Sequence, residues 1–370
     1  MSGKCFFFAG GGTGGHIYPA IAIAERMVNL EPKAKVRFFC SNRSVDLRIL
    51  AKTDFVHASL PVHKFSLKPL ELIKFFTSFI DSYRIAKMAF IENRDAVVVG
   101  VGGFVSAPVC LAARKLNIPI VLLNVDIAPG RANKIIARWA DEIFVQFEDT
   151  RKHFAKRKAE VNVLGCPLRS GFDNPQPEKA IEQLDLDENK KTLLITGASS
   201  GSESINTAVC SLLENLGAFT DDWQIVHLTG RANFENVQKG YVGAKISHRV
   251  VDYFDDMPDL LSAADLVVGR SGAVSVAEYA AAGVPSICIP YPYHRDKHQY
   301  LNAGKLVQAG AAVIVDDKPK RKDMGGRLWA ELEELMKNEE KRKKMAENCR
   351  VVSNTQAASR IAEQLLKNSF

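Results

Sequence analysis

An α/β chain of two doubly wound, Rossmann-like domains facing a cleft is predicted by three observations. Short apolar, β-rich runs alternate with helical patterns along the whole chain, as parallel sheets wrapped by helices require. Each half opens on an apolar run that breaks into glycines and then a helix: Cys5 to Ala9 into Gly10-Gly11-Gly12-Thr13-Gly14-Gly15-His16, and Thr192 to Thr196 into Gly197-Ala198-Ser199-Ser200-Gly201. Between the halves, Ser170 to Lys179 is polar with Pro175 and Pro177, and reads as an interdomain linker. Ligands of open α/β sheets bind beyond the carboxyl ends of the strands, so two such domains would enclose a cleft. The expected limits are 1–168, 169–350, and 351–370 for a C-terminal helix, about Asn354 to Lys367, packing across the junction.

The first strand and its loop carry most information. A strand that turns through glycines into a helix presents free N–H groups at the positive end of the helix dipole, which suits an anion or phosphorylated ligand. Gly10-x-Gly12-x-x-Gly15 also matches a dinucleotide fingerprint, which demands an acid at the end of the next strand. That strand, Lys35 to Cys40, ends in Cys40-Ser41-Asn42. NAD is therefore disfavoured, and His16 stands as an imidazole at the mouth of the loop. Further strands are expected at Ala96–Gly100, Ile120–Asn124 and Glu142–Gln146, then at Gln224–Leu228, Arg249–Val251, Leu266–Val268 and Ser286–Ile289.

Composition excludes several classes. The 370 residues are 46% apolar and 25% charged, ordinary for a globular chain long enough for two domains. Seven cysteines without CxxC or His-paired spacing support neither zinc nor a disulfide framework, and fit a reducing cytoplasm. No signal peptide is expected ahead of the glycine loop, which follows within ten residues of Met1. The uncharged run Ala96 to Ala113 and the stretch Ala273 to Tyr293 are broken by glycines and prolines, so neither reads as a membrane span. The formal charge of +7 clusters at Arg151 to Lys158, Lys318 to Lys322 and Lys341 to Lys344. Solvated faces or an anionic membrane account for such runs; without zinc fingers, an RRM signature or a stacking platform, nucleic acid is not expected.

Leu67 to Phe90 reads as a basic amphipathic helix. Leu72, Phe76, Phe79, Tyr83 and Phe90 recur near helical spacing among Lys64, Lys68, Lys74, Arg84 and Lys87. Such a stripe either lies in a membrane interface or packs inward, and the spacing leaves both open.

In the second half, Gly269 to Gly283 offers another anion-accepting helix start, and Glu278 is a lone carboxylate about two turns along it. A carboxylate there can accept both hydroxyls of a ribose while phosphates reach Ser271 and Gly272. Asp296, His298 and Gln299 can read sugar hydroxyls, and Tyr253 and Phe254 could flank a base or pack inward. Asp185-Leu186-Asp187 has the spacing of some metal sites but sits in a polar segment beside the linker, so no metal site is expected.

These motifs occur in an order that resembles the MurG-type N-acetylglucosaminyltransferases: Gly11 to His16, Gly100 to Pro108, Gly165-Cys-Pro-Leu-Arg169, Ala198 to Gly201, Arg270 to Gly283, and His298-Gln299 with Asn302-Ala303. The resemblance spans nearly the whole chain. It implies the two-domain GT-B fold and inverting, metal-independent transfer from UDP-N-acetylglucosamine to lipid I, the polyprenyl-diphosphate muramyl-pentapeptide, without a cofactor. It also implies a peripheral place on the cytoplasmic face of the inner membrane, against its anionic surface. Carried over, Glu278 holds ribose and Tyr253-Phe254 the uracil. Arg169, Ser199, Ser271 and Gly272 hold the diphosphate, and His298 and Gln299 read the sugar. Thr13, Gly14, Gly15, Gly102, Gly103 and Asn133 face the acceptor; independently of the resemblance, Leu72, Phe76 and Phe79 of the amphipathic stripe are the residues expected at the membrane. His16 is the first choice as catalytic base and Asp126 the second. The family usually shows His-Glu-Gln-Asn where this chain has Leu123-Asn124-Val125-Asp126, so Asp126 is expected to replace the missing glutamate. Transfer to another lipid or small molecule, sugar-nucleotide epimerisation, and a catalytically silent sugar-nucleotide sensor are the competing functions.

Overall fold

The computed structural model describes residues 4–317 and 324–367, so the basic run Lys318 to Lys322 lies outside the described residues. The chain forms two compact units: residues up to Arg169 together with the segment from Gln356 onward, and Ser170 to Thr355.

The first unit runs β1 (Cys5–Gly10), α1 (Gly14–Leu30), β2 (Lys35–Ser41), α2 (Ser44–Leu50), β3 (Val56–Leu60), α3 (Pro69–Ile91), β4 (Ala96–Gly102), α4 (Gly103–Lys115), β5 (Ile120–Asn124), α5 (Arg131–Ile136), β6 (Glu142–Val145) and β7 (Glu160–Val163). Its seven parallel strands lie in the order β3-β2-β1-β4-β5-β6-β7. Helices cover both faces, so β1 and β4 are buried along their whole length and read as unbroken apolar runs. Phe7 stacks on Phe39 at 5.5 Å and meets Phe90 edge-on at 5.2 Å. Phe90 is fully buried and Tyr83 packs against the same core, which corrects their place in the expected membrane stripe.

The second unit continues with α6 (Pro177–Gln183), β8 (Lys191–Thr196), α7 (Glu203–Cys210), α8 (Leu213–Leu216), β9 (Trp223–Leu228), α9 (Phe234–Gly240), β10 (Ser247–Val251), α10 (Met257–Ser262), β11 (Leu266–Gly269), α11 (Ala273–Ala282), β12 (Ser286–Cys288), α12 (His298–Gln308), β13 (Ala312–Ile314), α13 (Met324–Lys337) and α14 (Glu339–Val352). Its parallel order is β10-β9-β8-β11-β12-β13. The expected linker is ordered structure of this unit: a 3₁₀ turn at Ser170–Phe172, then α6, with the Gln176 amide donating to Asp259 Oδ1 at 2.8 Å. Asp185 pairs with Arg249 at 2.5 Å, and Asp187 accepts the Asn189 amide at 2.9 Å; both aspartates brace a turn. The lysines at 341–344 are engaged on their own surface, with Lys341 on Glu334, Lys343 on Glu339 and Lys344 on Glu347.

The terminal helix α15 (Ala357–Lys367) packs on α1 within the first unit. Ala357, Ala358, Ile361, Ala362 and Leu365 form its buried stripe. Burying Ile361 and Leu365 contributes about 1.5–3 kcal/mol each. Gln364 also bonds Glu142.

Candidate active site

In the first unit, strand order reverses between β1 and β4, the place where open α/β sheets bind ligands. Both strands run out through glycines. Gly103 has φ 79°, and a Cβ there would stand 2.6 Å from the Gly11 carbonyl, so the two loops touch only because it is glycine. Ser106 fastens the same corner: buried in α4, its Oγ lies 2.5 Å from Ala9 O and accepts the Gly102 amide at 2.9 Å.

The expected anion cradle is partly occupied by protein. Asp46, fully buried in α2, accepts the Gly12 amide at 2.7 Å and the Ser41 hydroxyl at 2.5 Å. Arg43 donates to Gly12 O at 2.9 Å. Gly12's N–H is thus committed to a carboxylate. What is left for a ligand is the first turn of α1, at Gly14 and Gly15, where Thr13 makes no side-chain cap and no acid stands.

His16 lies half-buried in that turn, with Nδ1 3.3 Å from Thr13 Oγ1. At the end of β5, buried Asn124 accepts the Asn133 side-chain amide at 2.9 Å and donates to the Asp126 carbonyl at 2.6 Å. The Asp126 side chain is half-buried. Arg169 closes the first unit, its guanidinium 4.4 Å from the centre of the Tyr18 ring in α1. The unit therefore holds every acceptor-side residue named from the sequence, and Arg169 besides.

In the second unit the strand order reverses between β8 and β11. Ser199 is half-buried in the turn Ala198–Ser200 after β8. After β11, α11 starts at Gly272 without a side-chain cap and without an acid in its first turn, which leaves its amides to an anion. Glu278 lies within α11 and is buried. Ser271 is also buried, and its hydroxyl donates to Gln299 O at 3.0 Å; it joins α11 to α12 before it meets any phosphate. The Gln299 side chain in turn accepts the Tyr291 amide at 2.9 Å.

His298, at the start of α12, bonds Asp296 through Nδ1 at 2.7 Å and stacks on His294 at 4.2 Å. Burial works against ionisation of Asp296, but the His298 bond and charge outweigh it and hold this carboxyl below its usual range. Tyr253 and Phe254 are half-buried after β10. A pocket of about 520 Å³ opens beside them, lined by Arg231, Phe234, Glu235 and Asp252.

One residue inside the quoted motif has a larger part than its sequence implied. Arg270 is buried and ties four loops together. It donates to Ser202 Oγ at 2.7 Å and Ser204 Oγ at 3.0 Å after β8, to Ile289 O at 3.0 Å after β12, and pairs with Asp317 at 2.9 Å after β13. Its own carbonyl accepts the Tyr279 hydroxyl at 3.0 Å. An arginine at a strand end, between two apolar runs, is the signal that could have marked it.

Comparison with known proteins agrees with this architecture. Residues 6–145 match the glycosyltransferase family 28 N-terminal domain and residues 192–365 its C-terminal domain. A UDP-N-acetylglucosamine–N-acetylmuramyl-(pentapeptide) pyrophosphoryl-undecaprenol N-acetylglucosamine transferase of Desulfitobacterium hafniense (strain Y51) is 36% identical, over 98% of each chain. A relative of the same name from Myxococcus xanthus is 33% identical, over 96% of this chain and 90% of its own. Among solved structures, MurG of Acinetobacter baumannii superposes with a TM-score of 0.71 at 25% identity, over 99% of this chain and all of that one. A UDP-GlcNAc 2-epimerase of Neisseria meningitidis reaches 0.70 at 14% identity, with 99% of this chain covered and all of that one, which speaks for the fold alone. With two parallel α/β units, uncapped helix starts at both strand-order reversals and this likeness over its whole length, the chain belongs to the MurG family of N-acetylglucosamine transferases, within glycosyltransferase family 28.

Proposed function

We propose that the chain transfers N-acetylglucosamine from UDP-N-acetylglucosamine to the muramyl sugar of lipid I, giving lipid II with inversion at the anomeric carbon. The likeness over 98% of its length to a transferase of that name supports this most. Buried Glu278, along α11 from an uncapped start, is the geometric support for the donor: it takes the ribose hydroxyls while the Gly272 end of the helix takes the diphosphate. Ser199 and Arg169 add to the diphosphate site, Tyr253 and Phe254 take the uracil, and His298 and Gln299 read the sugar.

On the acceptor side, Thr13, Gly14, Gly15, Gly102, Gly103 and Asn133 form the site, with His16 as base and Asp126 as the second candidate. The acceptor hydroxyl bonds to the anomeric carbon as the bond to the diphosphate breaks. His16 takes the hydroxyl proton, and the electron pair leaves with UDP, whose charge the helix start stabilises.

We further propose that α3 and the loop before it hold the chain on the cytoplasmic face of the inner membrane. Among the described residues no helix is long and apolar enough to cross a membrane. Leu67, Leu70, Ile73, Phe76 and Ile80 are nevertheless exposed, Phe76 at 55%, beside Lys64, Lys68 and Lys74. Leu72 and Phe79 are half-buried beneath them. Apolar side chains rimmed by lysines suit an anionic lipid surface. Sedimentation with phosphatidylglycerol vesicles is expected to fall for Ile73→Ser combined with Phe76→Ser; equal binding would remove α3 from the account.

The activity itself is tested with labelled UDP-N-acetylglucosamine and a panel of acceptors. Labelled lipid II with one UDP released per transfer is expected from lipid I. An epimerised sugar nucleotide formed without acceptor, or a glycosylated lipid other than lipid II, would overturn it.

A further inference from the structure

We propose, resting on His16 as the base, that Asn133 is its positioning residue: the Asn133 side-chain oxygen holds the Nε2 proton of the imidazole, and Nδ1 is thereby the basic nitrogen. The sense of the Asn133 carboxamide is fixed by its neighbours. The Asp126 main-chain carbonyl can only accept, so the Asn124 group 2.6 Å from it is the NH₂. Asn124 therefore turns its oxygen to Asn133, which answers with its own NH₂ at 2.9 Å.

Asn133 Oδ1 is thus driven to the opposite side, where it is buried and has no hydrogen-bond partner; the residue as a whole is 8% exposed. An unmet buried acceptor is costly, so such an oxygen calls for a donor that reaches it. Gly102 shows which group stands opposite. A methyl group in place of its hydrogen would lie 3.2 Å from Asn133 Oδ1 and 3.1 Å from His16 Nε2. With φ 103° and no side chain, Gly102 keeps the space between ring and carboxamide open. The two atoms are not hydrogen-bonded in the structure, and a turn of the ring toward Asn133 is the motion that their pairing requires.

Nδ1 then carries the lone pair and faces the Thr13 hydroxyl, which donates to it at 3.3 Å until the acceptor hydroxyl takes that place. A base oriented by a third group is the arrangement that activates hydroxyl nucleophiles elsewhere. Nδ1 takes the acceptor proton as the glycosidic bond forms and the bond to the diphosphate breaks, and UDP carries off the electron pair.

The test is the pH dependence of kcat/KM. Asn133→Asp sets a carboxylate against the imidazole and raises its proton affinity, so the acidic limb should move up by about one pH unit. Asn133→Ala should lower kcat by about tenfold to a hundredfold, with the KM for UDP-N-acetylglucosamine unchanged. An acidic limb of Asn133→Asp that coincides with wild type overturns the proposal. Thermal unfolding checks each variant. If Asn133→Asp does not fold, Asn133→Ser takes its place: it keeps an oxygen acceptor, so its kcat should exceed that of Asn133→Ala, and equality overturns the proposal. His16→Ala separates the two readings. Unchanged turnover in His16→Ala removes the base, and Asn133 with it; an inactive His16→Ala beside an unmoved Asn133→Asp limb removes Asn133 alone.

Discussion

Each unit contains an asparagine relay beside its glycine loop, and the two end differently. In the second unit, Asn206 donates to the Thr229 carbonyl at 3.0 Å and accepts from His227 Nε2 at 3.0 Å, while His227 Nδ1 accepts from the Tyr241 hydroxyl at 2.9 Å. The polar atoms of this chain answer one another, and burial holds the His227 ring neutral, its pKa pushed down to about 3. In the first unit the relay runs from Asp126 through Asn124 to Asn133 and stops at an unmet oxygen. A closed relay rigidifies the loop it serves; an open one, at the corner where His16 stands, is held ready for a partner.

The largest effect should come where the second unit is most closed. Arg270→Met strands Asp317 without its cation and is expected to destabilise the fold by about 3–5 kcal/mol in urea unfolding. Asn206→Ala leaves His227 and the Thr229 carbonyl unmet and should cost about 3 kcal/mol by the same measurement. Acid should act through His227. Its pKa lies near 6.5 unfolded and about 3 folded, so between those values the unfolded chain holds the extra proton. Stability should therefore fall by about 1.4 kcal/mol for each pH unit lost within that window, and His227→Gln should abolish that slope. Asn133→Ala should cost least, about 1 kcal/mol: it leaves the Asn124 side-chain oxygen without its donor, but it also removes a buried oxygen that was itself unmet. A stability loss as large as that of Asn206→Ala would make the two relays equivalent and end the contrast.

The sequence foretold the interior of both sheets because a parallel strand covered on both faces must be apolar throughout. The strands it missed were edges: β3 and β7 in the first sheet and β13 in the second. With only one neighbour to pair with, Val-His-Ala-Ser-Leu and Glu-Val-Asn-Val need not carry an apolar run. Polarity and prolines between 170 and 179 imitated a linker, since Pro177 also suits the first turn of α6. On α3 the helical spacing located a stripe but could not divide it; Phe90 turned inward to Phe7 while Phe76 stayed out. At the loops, glycine spacing marked both helix starts. The commitment of Gly12 to Asp46 and the four-loop hub at Arg270 depend on partners distant in sequence, which no local pattern records.

On the function proposed above, the units divide the work, with nucleotide binding at Glu278 and proton removal at His16. Calorimetric titration of UDP-N-acetylglucosamine into His16→Ala and Glu278→Ala, alongside turnover with lipid I, tests it most directly. His16→Ala should bind the donor as wild type does and lose about a hundredfold in kcat. Glu278→Ala should weaken donor binding by about tenfold or more. Normal donor binding by Glu278→Ala, or donor binding lost in His16→Ala, would contradict the division.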